Sequence, residues 1–142
     1  MSSIVKFFVA SREGATDALS SGPDSSLRAA VFGNFDAEEA LLDWESSLTG
    51  IPFESLVESD LPEVVAEVDD GPMVFRLSDE LVSSLTSASS SGIHELALWW
   101  VGEKSANGIE IELPIALGIL QSLVDLTRSA DESGMGVYCW TS

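Results

Sequence analysis

The chain has 142 residues, enough for one domain with a core of its own, without disulfides or metals to staple it. Its 24 Asp and Glu against 6 Lys and Arg give a formal net charge of −18, and so negative a surface repels phosphate backbones and anionic lipid, which argues against nucleic acid and membranes as partners. Hydrophobic residues make up 45% of the chain, which argues against disorder.

Residues 4–10, "IVKFFVA", read as a central strand, β-branched and aromatic and apolar on both faces except at Lys6. Lys6 interrupts the run and Arg12-Glu13 follow it, leaving no signal-peptide core and no span. Cys139 is the single cysteine and can form no internal disulfide, so a reducing, cytoplasmic address is expected. A helical turn around Ala15 to Leu19 leads into the loop "SSGPDSS", and "LRAAVFGNF" is a predicted strand ending at Gly33-Asn34.

"DAEEALLDWESSLTG" carries helix signals at both ends: Asp36 to cap, Glu39 to complete a capping box and Gly50 to stop. Ala37, Leu41, Trp44 and Leu48 share its apolar face. Pro52 opens a short helix, "PFESLVES". Asp69-Asp70-Gly71-Pro72 then turns a hairpin from Val64 to Leu77, with Ala66 and Phe75 facing the core and Glu67 and Arg76 diagonal on the other face. A helix from Ser78 to about Thr86 ends in "SASSSG", whose Ser87 to Ser91 read as a polar loop.

The helix "IHELALWWVGEK" places Ile93, Leu96, Ala97, Trp100 and Val101 on one arc, His94 at its edge and Trp99 well away from its centre. Asn107-Gly108 is a turn, and "IEIEL" a short strand or extended lead-in whose Glu110 and Glu112 share a solvent face. Pro114 starts the longest helix, to about Asp131, polar only along the stripe of Gln121, Asp125, Arg128 and Glu132 with small residues between. "GMGVYCWTS" closes as a strand with Val137 and Cys139 on one face and Tyr138 and Trp140 on the other.

"DDGPMVFRLSDELVSSL", the upstream "DWESSLTG" and the long helix followed by a short apolar strand together resemble the YfbM-like family of domains of unknown function, over half to two thirds of the chain. The opening Met-Ser-Ser-Ile, where that family suggests Met-Gly, and the middle segment depart from it. The resemblance implies an α+β fold and brings neither an activity nor catalytic residues.

Catalytic signatures are missing. His94-Glu95 opens like HExxH, but Leu98 stands at the second histidine position and the chain has one histidine, so zinc-peptidase chemistry fails. Phosphate-binding glycine loops and a G-x-S-x-G elbow are also missing from the sequence, and Asp69-Asp70-Gly71 lacks calcium-loop spacing. The sequence therefore predicts a single α+β domain over residues 1–142, a mixed sheet of about four or five strands packed against helices, with no cofactor and no metal site. The expected function is a non-enzymatic, inhibitor-like module for a basic protein, with Trp44, Trp99 or Trp140 as partner-binding anchors. The alternative is a small enzyme whose site gathers carboxylates with His94 or Cys139. A third expectation is a homo-oligomer formed through an aromatic patch.

Overall fold

The computed structural model of the chain describes residues 4–24, 26–33 and 35–142. Its strands are β1 (Ile4–Ala10), β2 (Ala29–Gly33), β3 (Glu63–Glu67), β4 (Met73–Arg76) and β5 (Gly136–Thr141). Its helices are α1 (Arg12–Asp17), α2 (Ala37–Thr49), α3 (Phe53–Glu58), α4 (Asp79–Ser87), α5 (Ser90–Ala106) and α6 (Leu113–Ser133).

Alternation along β1 builds two apolar faces. Val5, Phe7 and Val9 turn to one side, Phe8 and Ala10 to the other, and all five are buried. The sheet order is β2-β1-β5-β4-β3, so the chain is the predicted α+β domain, with five strands among the described residues, but every neighbouring pair is antiparallel where the sequence predicts a mixed sheet. The main core lies between one sheet face and α2, α4, α5 and α6, with α6 packed against both α4 and α5 and reaching β1 and β5. On the second face Phe8, Val74, Tyr138 and Trp140 are covered by Ala15 and Ala18, at α1 and its C-terminal edge, and by Leu19. Trp140 donates its indole N–H to the Leu19 carbonyl at 2.8 Å, and Lys6 lies over its ring at 5.3 Å. Gly22, beside Lys6 and Trp140, holds φ at +83°, a left-handed conformation that glycine adopts without strain.

Local signals explain the helix ends. Asp36 accepts from the Glu39 N–H, and Gly50 stops α2 in the left-handed region. Ser89 accepts from the Gly92 N–H and starts α5 within the predicted serine loop, which shrinks to two residues because serine caps so well. Arg128 donates to the carbonyls of Thr86 and Ala88 at the end of α4.

Two expectations change. A bulge between Val64 and Ala66 shifts the hairpin register, so Ala66 stands opposite Val74 and faces the second cluster while Phe75 faces the helices. Glu67 consequently lies opposite Met73, and Arg76 pairs with Asp79 instead. "IEIEL" joins no strand among the described residues and follows the other expected reading, a lead-in to α6 with Glu112 extended. The predicted ending at Asn34, Ser25 of the predicted loop and the opening Met1 to Ser3 lie outside the described residues.

Glu45 is a carboxylate buried in α2, accepting a hydrogen bond from the Ser78 hydroxyl, which in turn caps α4 through the Leu81 N–H. Burial raises its pKa above the ordinary range, against the pull of Ser78 and with the Glu80 charge adding to the rise. Because the folded value is the higher one, the penalty of the charged form is absent below the unfolded pKa and complete above the folded one. Glu45→Gln keeps an acceptor for Ser78, so the variant is expected to be more stable than the parent at neutral pH. Urea titrations across pH should show the gap closing as the solution is acidified.

Candidate functional site

Three parts of the fold meet at one end of the sheet. Register puts Met73 opposite Thr141, and Thr141 opposite Val5, so β4 begins where β5 ends and β1 begins. The first turn of α2 and the last turns of α5 close over this end.

Lys104, one turn after Trp100 on α5, is buried, its side chain 8% exposed. Its Nζ donates to a Glu39 carboxylate oxygen and stands 2.8 Å from Asp43 Oδ2, tying α5 to the first two turns of α2. Burial alone would lower the lysine pKa, but Asp43 and Glu39 outweigh it and the net shift is upward. Asp43 also shifts upward: its burial exceeds the stabilisation that Lys104 returns, and the Glu39 and Glu103 charges add to it.

Beside this ion cluster lies a cleft of about 610 Å³. Met73, Phe75, Trp100, Ile109 and Ile111 give it apolar lining, together with Phe35, and Asp36, Glu38 and Thr141 supply polar groups. Phe35, Trp100 and Ile111 separate it from a second hollow of about 290 Å³, flanked by Glu110 and Glu112. The apolar lining is rigidly backed. Trp100 packs edge-on against Trp44, ring centroids 5.0 Å apart at 71°, and against Phe35 at 5.8 Å. Both indole N–H groups are buried without a hydrogen-bond partner among the described residues.

The tryptophans expected as anchors divide. Trp44 is 0% exposed at the centre of the core and Trp140 is 7% exposed under the α1 loop, so neither presents a surface to a partner. Trp44 faces inward against Phe7 of β1, Phe35 and Trp100 of α5; Trp140 is covered by a segment the strand pattern does not reveal. Trp99, at 38% exposure on the outer side of α5, keeps the expected availability. Trp99→Ala is expected to lower stability by about 1–2 kcal/mol, well short of a core tryptophan, since over a third of the residue already meets water; a thermal melt checks this.

The sulfur and imidazole do not meet. His94 is exposed on α5, whereas Cys139 is wholly buried in the main core, and neither lines the cleft. Desolvation pushes the Cys139 thiol far above its ordinary pKa, so it is no thiolate at neutral pH. Among the described residues no group of three or more His, Cys, Asp or Glu could hold a metal ion, and no helix is long and apolar enough to cross a membrane. The cleft offers apolar surface beside carboxylates and the Lys104 ammonium.

Sequence reasoning missed Lys104, Asp43, Met73 and Ile109 as members of one site. One signal was present: Lys104 follows Trp100 at i+4, on the same face of α5 as the buried Ile93, Leu96 and Ala97. No family model, no curated protein and no solved structure matches the chain.

Proposed function

We propose that the chain is a non-enzymatic, acidic binding module for a basic protein in the cytoplasm. The observation that carries this is the pair of carboxylates, Asp36 and Glu38, standing without ion-pair partners among the described residues at the edge of a largely apolar cleft. On a chain of net charge −18 their field adds to a general attraction for cations, which speeds encounter and rejects acidic partners. Apolar contact in the cleft, with Trp99 as a second contact on α5, supplies the affinity that steering alone does not.

Isothermal titration with a lysine–leucine peptide, against a glutamate–leucine peptide of equal length, tests the reading. The basic peptide should bind, its affinity falling severalfold from low to physiological salt, and the acidic one should not. No binding of the basic peptide, or binding that ignores ionic strength, overturns it.

A further inference from the structure

The cleft's chemistry specifies what part of a basic partner enters it, an inference that rests on the function proposed above. Three carboxylates lie in the first turn and cap of α2, but Glu39 is already engaged by Lys104, whose one positive charge it shares with Asp43. Asp36 and Glu38 remain as about two unit charges. The amino end of α2 opposes them with roughly half a positive charge. The balance at the mouth is therefore negative and suits a cation. Directly beside it, Met73, Ile109 and Ile111 are only partly covered, and Phe35 is likewise half-buried, so apolar surface lies open next to the charge. The volume of about 610 Å³ falls within the range of pockets that hold a small ligand or a few side chains, and is too small for a helix or a folded loop.

We propose that the cleft takes a short segment of the partner in which a lysine or arginine adjoins an aliphatic residue. The aliphatic side chain rests on Met73, Ile109 and Ile111, and the cation reaches Asp36 and Glu38. Thr141 also lines the cleft and can supply a hydroxyl to the segment's backbone. Both elements are needed: the apolar lining alone would accept any apolar peptide, and the carboxylates alone would hold an exposed cation only weakly.

The test uses acetylated, amidated Leu-Lys-Leu and its neutral counterpart with norleucine in place of lysine, followed by methyl NMR of the intact chain. Leu-Lys-Leu should shift the methyl signals of Met73, Ile109 and Ile111 saturably. The norleucine peptide should bind about tenfold more weakly, the scale of one charge-assisted contact. The double variant Asp36→Asn/Glu38→Gln should lose that preference while staying folded, because asparagine caps a helix as well as aspartate does. Equal affinity for the two tripeptides overturns the charge recognition. If the cleft methyls stay still while the longer lysine–leucine peptide binds with salt dependence, the cleft assignment falls and the binding function stands. If neither peptide binds, both fall.

Discussion

Replacing Trp44 with alanine should lower the unfolding free energy by about 3–5 kcal/mol, a large share of the roughly 5–15 kcal/mol that holds a domain folded. The indole is wholly enclosed and touches three aromatic rings: Phe7 at 6.1 Å, Phe35 at 6.4 Å and Trp100 at 5.0 Å. Its removal leaves a hole that rigid neighbours on α5 and β1 cannot fill, so the transfer loss and the cavity loss add. Trp44→Phe should retain much of the stability, since the indole N–H makes no hydrogen bond among the described residues. Urea titration of both variants measures this. A Trp44→Ala loss under 1 kcal/mol would mean the aromatic cluster is not packed as described.

Lys104→Met should cost about 2 kcal/mol at neutral pH, somewhat below the 3–5 kcal/mol lost when a fully enclosed ion pair loses one member, because Glu39 is nearly half exposed. Methionine fills the volume of the lysine stem but leaves Asp43 charged, partly buried and without its ammonium partner. The sign with pH follows from which groups then carry protons. In the parent, the raised lysine pKa keeps its contribution intact through neutral pH, to be lost only when the solution rises through that folded value. In the variant the unpaired carboxylates favour protonation, so the deficit should shrink on acidification. Chemical denaturation at neutral and mildly acidic pH distinguishes this from simple loss of packing, which would leave the deficit constant.

Much of the local structure was legible because its causes are local. Asp36 and Gly50 bracket α2, Pro114 opens α6 near its first turn, and the alternation of Val137 and Cys139 with Tyr138 and Trp140 assigns the two faces of β5. The cleft was not legible, since it draws Phe35, Met73, Trp100, Ile109 and Thr141 from segments whose proximity is decided by strand order, and periodicity carries no information on strand order. Helical spacing correctly turned Trp44 inward with Ala37 and Leu41, but a partner-facing stripe has the same spacing as a core-facing one. Ala66 was misplaced by a single inserted residue, which reverses a side chain without altering the apolar alternation that suggests the strand.

The position of β5 has a kinetic consequence. It is the seam between two ribbons, pairing with β1 on one side and β4 on the other, and in the chain it follows β1 only after helices α1 to α6. During synthesis the β1–β2 and β3–β4 ribbons therefore emerge with an open edge each and no strand to join them, and helices cannot seal the core until the seam leaves the ribosome. The nascent chain should expose its aromatic interior until then, and the acidic exterior, through mutual repulsion between neighbouring chains, keeps such half-made molecules apart.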